Sequence, residues 1–447
     1  MALTGIEIYK FLPKTNCKEC GFPTCLAFAM KLAAKGVELS LCPYVSEESK
    51  QALESASRPP IRLVTIGTGD RKVEVGNEVV MFRHEKTFYN PPAFLIQVKD
   101  TDSADNVAKI VSEVSSYSVE RVGLELKLNG IAIENTSNNG DSFVKCIELV
   151  KSKTDLPLVL ISNDPSIMDQ ALEKVAEAKP LIYAANKENV DQMVELAKKY
   201  QCPLAVYEPA GLSELAELVT RVTDAGVEDV VLDPGAREFG ESLSALTQIR
   251  RLAIKKSFQP LGFPVITFPG QGSGGIEEEA MLAGQQVAKF AGIIVLDRFS
   301  PSEIYPLATL RLNIYTDPQK PIQMTPAIYE IGKPTKESPL CVTTNFSLTY
   351  FSIAGELESS GFPAWLMVCD TEGLSVLTSW AAGKLDADKI AKTVKEFNAA
   401  DKINHRNIII PGGVAVLRGE LEEELPDWKI MIGPRDAVDV GGFLKQN

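Results

Sequence analysis

Four cysteines near the start of the chain have the type and spacing of metal ligands. Cys17, Cys20, Cys25 and Cys42 form a C-x2-C-x4-C-x16-C pattern and are half of the eight cysteines in the sequence. Thiolates without accompanying histidines favour soft sites such as zinc or the irons of an iron-sulfur cluster. The pattern therefore indicates a metal centre in the first tenth of the chain.

An iron-sulfur cluster fits this spacing better than its alternatives. Zinc sites usually bring two short ligand hooks separated by a longer loop, whereas here three cysteines lie in one tight hook. Small and turn-forming residues, Gly21, Pro23 and Thr24, can wrap one face of a [4Fe-4S] cube. Cys25 opens a helix-forming run whose N-terminal amides favour a negatively charged cluster. A structural zinc ion remains the alternative, and disulfides are a third, weaker interpretation.

The composition argues against several other classes of function. The 447 residues allow about three domains, and a net charge of -13 argues against a nucleic-acid surface. With only two histidines, His84 and His405, histidine metal sites and Ser-His-Asp catalysis are nearly excluded. The first residues lack the basic and apolar segments of a secretory signal, and no apolar run is long enough to span a membrane. We therefore expect a cytoplasmic protein without membrane contact.

The chain is expected to contain three α/β or cluster-bearing domains. Residues 1–58 form the [4Fe-4S] domain, which is too small to bury much core and depends on its metal. The sequence Ser57-Arg58-Pro59-Pro60 then predicts a stiff linker. A barrel domain is expected over 59–325 and a smaller domain over 326–447.

Alternating strand and helix patterns in the middle of the chain predict a TIM (β/α)8 barrel. About eight repeats with apolar, non-alternating strands are what a closed parallel barrel requires. The candidate strands are 79–82, 93–98, 122–126, 158–161, 181–184, 204–207, 230–233, 265–268 and 293–297.

The loops after these strands show no acid/base pair by spacing. The glycine-rich stretch 270–275 could cradle a phosphate, but a loop that caps the following helix is the favoured interpretation. Asp233-Pro234-Gly235 can equally be a plain turn. We therefore expect the barrel to act as a scaffold or docking domain.

The last section predicts a small, open, Rossmann-like (doubly wound) sheet. Its candidate strands are 340–343, 365–368, 407–410 and 429–432. Such sheets bind ligands beyond the carboxyl ends of their strands, and the loops there are rich in Gly, Thr, Ser or Asn. These residues suit a large ligand with many amides and a phosphate. Because glycine serves ordinary turns as well, composition alone leaves the ligand open.

Taken together, these features resemble the large (gamma) subunit of the corrinoid iron-sulfur protein of the anaerobic acetyl-CoA (Wood-Ljungdahl) pathway. The likeness rests on the cysteine hook, the Pro-Pro linker, the barrel, and the Thr371-Glu372-Gly373 and Pro411-Gly412-Gly413 loops. It covers essentially the whole chain and is most specific over residues 3–43. The resemblance implies a [4Fe-4S] cluster on Cys17, Cys20, Cys25 and Cys42, here called the hook cysteines, and a cobamide in the C-terminal domain.

The resemblance also assigns the cobamide to the C-terminal loops. The residues it implies are Thr343, Thr344, Asn345, Phe346, Thr349, Thr371, Glu372, Gly373, Leu374, Ser375, Val376, Leu377, Pro411, Gly412, Gly413, Gly433, Pro434, Arg435, Asp436 and Ala437.

The histidine loop of many cobalamin domains, Asp-x-His-x-x-Gly, is missing. His405 has Ile403 two residues before it and Ile408 three residues after it. We therefore expect a cobalt without a protein histidine ligand, which makes cobalt(I) easier to reach, and His405 as an exposed loop residue.

The function implied by the resemblance is that of a methyl carrier in anaerobic carbon fixation. Cobalt(I) takes the methyl group of methyltetrahydrofolate from a separate methyltransferase and passes it to acetyl-CoA synthase/CO dehydrogenase, while the cluster reactivates cobalt(II). This is a methyltransferase in the broad sense, with no catalysis without partner enzymes. The implied partners include a small TIM-barrel subunit, forming a heterodimer, and a reductive activator.

Two other functions stay open at this point. One is an iron-sulfur electron carrier whose C-terminal domain binds a flavin or a nucleotide without corrinoid, although no G-x-G-x-x-G fingerprint follows a strand there. The other is a cluster-bearing scaffold that acts by protein docking.

Overall fold

The computed structural model describes residues 5–33, 37, 39–46, 49–50, 53, 59–121, 123–317 and 321–446. Contacts divide the chain into two compact units: residues 1–118 with 127–315, and residues 119–126 with 316–447. Ser57 and Arg58 of the expected linker lie outside the described residues. No helix in the described ranges is long and apolar enough to cross a membrane.

The strands are numbered in chain order. They are β1 (Val64–Ile66), β2 (Val73–Val75), β3 (Ala93–Lys99), β4 (Ser118–Arg121), β5 (Leu124–Lys127), β6 (Gly130–Glu134), β7 (Leu158–Ile161), β8 (Leu181–Ala185), β9 (Leu204–Tyr207), β10 (Val230–Asp233), β11 (Ile266–Thr267), β12 (Ile293–Leu296), β13 (Ala327–Ile331), β14 (Leu340–Thr344), β15 (Ala364–Cys369), β16 (Asn407–Ile410) and β17 (Lys429–Ile432).

The α-helices are numbered in the same way. They are α1 (Gly5–Phe11), α2 (Cys25–Ala33), α3 (Ala104–Ser116), α4 (Gly140–Lys151), α5 (Pro165–Val175), α6 (Val190–Tyr200), α7 (Leu212–Asp224), α8 (Phe239–Lys256), α9 (Ile276–Ala288), α10 (Pro301–Tyr315), α11 (Ser347–Ser360), α12 (Val376–Ala381), α13 (Ala387–Glu396), α14 (Ala399–Lys402), α15 (Arg418–Glu424) and α16 (Val440–Gln446).

The N-terminal segment has a small core of its own. Helices α1 and α2 pack together, and Ile8, Leu12, Phe28 and Ala29 are buried between them. The core also includes two of the hook cysteines. A core of this size cannot stabilise a domain strongly, which agrees with the expected dependence on a metal.

The first unit contains a nearly closed barrel of eight parallel strands, as predicted. The strand order is β10-β9-β8-β7-β6-β3-β12-β11, and a single bridge between Leu232 and Val265 brings the two ends together. Leu232 N donates a hydrogen bond of 2.8 Å to Pro264 O at this seam. Small and apolar side chains fill the interior, and the antiparallel β1-β2 hairpin packs against the same core.

Two of the predicted barrel strands are wrong. Residues 79–82 form a loop, with only an isolated bridge at Glu78. Of the stretch 122–126, residue 122 lies outside the described residues, and residues 124–126 belong to β5, which pairs with β4 in a separate two-stranded sheet. Its side chains are largely exposed, whereas barrel strands are buried on both faces. The barrel strand at this place is β6, whose short Ile131-Ala132-Ile133 core is fully buried.

The second unit is built on a five-stranded sheet in the order β13-β15-β14-β16-β17. Four strands are parallel, as predicted, and β13, which the sequence pattern did not reveal, runs antiparallel at the edge. Both faces of the sheet are covered. Helix α13 and α15 side chains pack on one face, and α11 and α16 side chains pack on the other.

The four parallel strands do not follow one another in chain order across this sheet. Across the sheet these four strands lie in the order β15, β14, β16 and β17. The first connection runs from β14 to β15 on one side, and the next returns past β14 to β16 on the other side, so the order reverses between β14 and β16. Connections that leave neighbouring strands toward opposite faces open a crevice at that point, where ligands of such sheets bind.

Candidate functional site

Local hydrogen bonds hold the cysteine hook in shape. Cys25 N donates to Asn16 Oδ1 at 2.8 Å, which joins the beginning of the hook to its end. Gly21 N donates to Lys18 O at 2.9 Å, and Gly21 has φ +81°, the left-handed conformation that glycine adopts most easily. Thr24 Oγ1 accepts from Ala27 N, so helix α2 begins at the third cysteine.

The fourth cysteine is brought to the hook through the small core. Cys25 and Cys42 are buried there, Cys20 is half-buried and Cys17 is exposed. The Tyr44 hydroxyl donates to Glu19 Oε1 at 2.7 Å and so connects the segment after Cys42 to the hook.

The four thiols lie close enough to influence one another. Burial raises the pKa of the Cys42 thiol, and Cys20, Cys25 and Cys17 raise it further. All eight cysteines are free thiols. In the part of the chain that the structure describes, no three ligand side chains already converge as a single metal ion would require. The four thiols form an all-sulfur donor set, which fits a cluster of irons, each bound by its own cysteine.

A cavity of about 750 Å³ opens at the carboxyl ends of the parallel strands in the second unit. Cys341 and Val342 of β14 and Ile409 and Ile410 of β16 line it, so it lies where the strand order reverses. The volume is within the range of cofactor pockets.

The structure brings eleven of the twenty expected C-terminal residues to this cavity. They are Thr349, Ser375, Val376, Leu377, Pro411, Gly413, Gly433, Pro434, Arg435, Asp436 and Ala437. Nine do not line it: Thr343, Thr344, Asn345, Phe346, Thr371, Glu372, Gly373, Leu374 and Gly412.

Several lining residues were missed from the sequence. They are Cys341, Val342, Leu348, Ser352, Ile353, Ile409, Ile410, Val440, Phe443 and Leu444. Leu348 and Ser352, like Thr349 and Ile353, are four residues apart on α11, and this helical spacing was a readable signal of one exposed face. Val440, Phe443 and Leu444 of α16 have the apolar i, i+3, i+4 spacing of one helix face, which was also a readable signal.

Two glycines, Gly412 and Gly433, let the loops after β16 and β17 approach each other closely beside the cavity. A Cβ on Gly412 would lie 2.5 Å from Gly433 O, and one on Gly433 would lie 2.9 Å from the Ile409 side chain. Gly412 N also donates to Pro434 O at 2.9 Å. The Pro-Gly-Gly loop is therefore packed directly against the loop after β17.

Buried hydroxyls at the end of β14 lack partners. The side-chain oxygens of Thr343, Thr344 and Ser347 are inaccessible and make no hydrogen bond, and each residue is at most 1% exposed. Buried polar groups are rarely left unpaired, so this strand end has hydrogen-bonding capacity for a polar ligand. None of these three residues lines the cavity, but Thr349, Ser352, Ser375, Arg435 and Asp436 do, and such polar side chains fit a cobamide, which carries many amides.

His405 lies at the opposite end of the sheet from the cavity. Its Nε2 contacts Ser338 O at 3.0 Å, and its Nδ1 accepts a hydrogen bond from Asn407 N, at the start of β16. The residue lies in a loop, as expected, but it is half-buried, so the expectation that it is exposed is wrong. Both ring nitrogens are engaged by the backbone, which gives this histidine a structural role.

The barrel loops hold their charges in internal pairs. Asp233 is fully buried, and both its carboxylate oxygens accept hydrogen bonds from Arg237, at 2.9 and 2.8 Å. The Tyr183 hydroxyl donates to the same carboxylate at 2.6 Å. Although burial opposes its charge, the bonds to Asp233 raise the pKa of Arg237. No local pattern predicted this pair, because residues 234–237 form a loop and a spacing of four pairs side chains only on a helix.

The glycine-rich loop of the barrel serves its own helix. Gly274 N donates to Glu278 Oε2 at 2.6 Å, and Gly275 is the N-cap of α9. The carboxylate thus occupies the helix N-terminus, where a phosphate would otherwise bind. This agrees with the helix-capping interpretation.

Comparisons with known proteins cover the whole chain. The CdhD family model, "CO dehydrogenase/acetyl-CoA synthase delta subunit", matches residues 63–444. A second model, "Putative Fe-S cluster", matches residues 12–44, which include all four hook cysteines.

Curated relatives are similar over their full length. The corrinoid/iron-sulfur protein large subunit of Moorella thermoacetica is 45% identical, over 100% of this chain and 99% of the relative. The acetyl-CoA decarbonylase/synthase complex subunit gamma of Methanopyrus kandleri is 37% identical, over 99% of this chain and 98% of its own. The corresponding subunit of Methanocaldococcus jannaschii is 34% identical, over 100% and 96%. The chain belongs to the family of corrinoid/iron-sulfur protein large subunits and acetyl-CoA decarbonylase/synthase gamma subunits, which the CdhD model also matches.

Proposed function

We propose that this chain is the methyl-group carrier of the anaerobic acetyl-CoA (Wood-Ljungdahl) pathway. A [4Fe-4S] cluster is held by Cys17, Cys20, Cys25 and Cys42, and a cobamide is held in the C-terminal cavity. The observation that carries the proposal is the cavity of about 750 Å³ at the strand-order reversal, with unpartnered hydroxyls nearby. The name of the Moorella thermoacetica relative supports the same pair of cofactors, and the Fe-S family model supports the cluster.

The proposed domains follow the division at residues 58 and 325. The second is a TIM barrel, and the third is a Rossmann-like, corrinoid-binding domain. The strand order and the helices on both faces of the five-stranded sheet support this assignment of the third domain.

When bound, the cobamide supplies a low-valent cobalt that accepts and donates a methyl group, and the cluster supplies single electrons for its reactivation. The protein's own contribution is binding and orientation. Ser375, Val376 and Leu377 form one wall of the cavity, and Pro434, Arg435 and Asp436 form another. The chain is a methyltransferase only in the broad sense, because the methyl donor and acceptor are held by partner enzymes.

No protein histidine ligates the cobalt in this proposal. The support is the position of His405 at the amino end of β16, with both ring nitrogens engaged by the backbone. Cys341, which does line the cavity, is also a poor ligand, because burial raises the pKa of its thiol to about 12.

The proposed partners meet the protein at the cavity mouth. Exposed apolar side chains lie on the elements that surround it, and they are Leu348, Leu377, Trp380, Val416, Ile432 and Val438. Apolar side chains gathered at one place indicate a protein-binding surface. The partners are a small barrel subunit in a heterodimer, the methyltetrahydrofolate methyltransferase, acetyl-CoA synthase/CO dehydrogenase and a reductive activator.

Substitution of one cluster ligand tests this division of labour. Cys20→Ala should abolish reactivation of the oxidised protein by a low-potential reductant, while methyl transfer by chemically pre-reduced protein stays close to that of the wild type. Cys146→Ala, at a buried cysteine on α4, is the matched control and should preserve both activities. Equal loss of both activities in Cys20→Ala would contradict the proposal.

A further inference from the structure

Asn345 directly follows β14, and its side-chain amide makes all of its hydrogen bonds within the protein. Its Oδ1 accepts hydrogen bonds from Thr371 N and Thr371 Oγ1, both at 2.9 Å, and from Gly373 N at 3.0 Å. Its Nδ2 donates to Asp370 Oδ1 at 3.1 Å and to Gln323 Oε1 at 3.3 Å. Because an amide offers two donors and two acceptor lone pairs, no capacity remains for a ligand.

The loop that Asn345 holds has an unfavourable backbone conformation. Glu372 has φ +57° and Gly373 has φ +76°, so two successive residues are left-handed. A Cβ on Gly373 would lie 2.7 Å from Gln323 Cγ. For a residue other than glycine this conformation costs free energy, and it persists only where surrounding contacts impose it. The hydrogen bonds to Asn345 are such contacts.

The same loop leads directly into the cavity wall. Leu374 N donates to Thr371 O at 3.2 Å, and the next residues, Ser375, Val376 and Leu377, line the cavity. Asn345 itself does not line it. The polar residues next to Asn345 in sequence differ from it in their hydrogen bonding. Thr343, Thr344 and Ser347 are buried, and their hydroxyls have no hydrogen-bond partner.

From this contrast we propose that Asn345 is a positioning residue, which fixes the 371–374 loop so that Ser375–Leu377 stand in the wall that receives the cobamide. This inference rests on the proposed function. It gives Asn345 a structural role at this strand end: its hydrogen bonds shape the cavity, whereas the buried hydroxyls of Thr343, Thr344 and Ser347 make none.

The test compares loop motion with ligand affinity in the full-length chain. In Asn345→Ala, amide hydrogen exchange in residues 371–377 of the ligand-free protein should accelerate at least tenfold, because the loop loses three hydrogen bonds. The dissociation constant for hydroxocobalamin should rise about tenfold or more. In Thr343→Val, which removes a free hydroxyl, exchange in this loop should stay at the wild-type rate.

Two conservative variants at Thr371 keep the test valid even if Asn345→Ala does not fold. Thr371→Val removes the hydroxyl that lies 2.9 Å from Asn345 Oδ1 and 3.0 Å from Leu374 O while keeping the size of the side chain, and Thr371→Ser keeps the hydroxyl. Thr371→Val should weaken hydroxocobalamin binding severalfold and accelerate loop exchange, and Thr371→Ser should restore both toward wild-type values.

The outcomes distinguish this inference from the proposed function. Failure of the wild-type protein to bind hydroxocobalamin would overturn the proposed function, and this inference with it. Binding by the wild type that weakens in Asn345→Ala with unchanged loop exchange would make Asn345 a direct ligand contact. That result, or unchanged affinity despite faster exchange, would overturn only the positioning role.

Discussion

The chain contains two sets of parallel strands, and their carboxyl ends differ in what their polar residues do. At the barrel end, the buried Asp233 has its hydrogen bonds filled by Arg237 and Tyr183, and the Arg237 guanidinium lies 5.2 Å from the centre of the Phe268 ring. At the end of β14 in the second unit, buried hydroxyls lack partners beside an open cavity. Polar residues at a strand end thus indicate a ligand mainly when the protein does not pair them itself.

The barrel also contains buried acids outside this pair. Glu303 has no hydrogen-bond partner and is 3% exposed, and burial followed by the nearby Glu279 carboxylate raises its pKa to about 8. It therefore carries a proton at neutral pH, which avoids an unpaired buried charge.

The largest expected effect comes from breaking the internal pair of the barrel. Arg237→Met leaves the fully buried Asp233 without its cation, and the free energy of unfolding should fall by about 3–5 kcal/mol. Denaturant unfolding measures this change, and the cobamide content of the folded protein should stay at the wild-type level. Arg221→Met, which removes an exposed pair with Asp191, should cost less than about 1 kcal/mol. Loss of cobamide in folded Arg237→Met would show that the two strand ends are not independent.

At the cavity, we expect a substitution to affect ligand affinity more than stability. Gly412→Ala forces a Cβ against Gly433 O, so the two loops must separate, and stability should fall by about 1–3 kcal/mol. Hydroxocobalamin affinity should fall more than tenfold, measured by absorbance titration. The control is Gly419→Ala on α15, where a Cβ meets nothing within 4 Å, and this variant should bind normally. Normal binding by Gly412→Ala would remove this loop from the cofactor site.

A pH dependence is expected from the buried acid of the barrel. The raised pKa of Glu303 means that the folded state binds more protons than the unfolded state between pH 4.5 and about 8. Stability from this group is therefore fully present below pH 4.5 and is lost as the pH rises through 8. Glu303→Gln should flatten that slope and stabilise the protein by about 1–2 kcal/mol at pH 9, seen as a higher unfolding midpoint. An unchanged slope would show that another group causes it.

The smallest effect is expected at the cysteine hook. Tyr44→Phe removes an exposed hydrogen bond to Glu19, while the buried Cys25 and Cys42 keep their places. Iron content should stay unchanged, and the rate of cluster loss to a chelator should rise no more than about twofold. Complete loss of the cluster would give the Tyr44–Glu19 contact a larger role in holding the fourth ligand.

The hook was predictable because its information is local. The four cysteines and the turn residues between them lie within 26 positions, and the Fe-S family model covers all four cysteines. The barrel and the four parallel strands of the second unit were predictable because buried strands leave long apolar runs. Strand β6 was missed because its apolar core is only three residues long and the neighbouring β5 also contains two leucines.

The details of the C-terminal cavity were not predictable from local pattern. Asn345 and Thr343 are two residues apart and have the same polar character, yet one is fully hydrogen-bonded and the other is not. The difference depends on Thr371 and Gly373, which a helix and a strand separate from them in sequence. Composition therefore predicted a site at the carboxyl end of the sheet, where the structure has its cavity, but it could not distinguish paired from unpaired polar residues there.

The metal content of the anaerobically purified protein, isolated with its partner subunit, tests the account most directly. The account predicts four irons and one cobalt per chain, with the irons on the hook and the cobalt in the C-terminal cavity. Iron without cobalt would contradict the methyl-carrier function and favour an electron carrier. Zinc in place of iron would contradict the cluster itself.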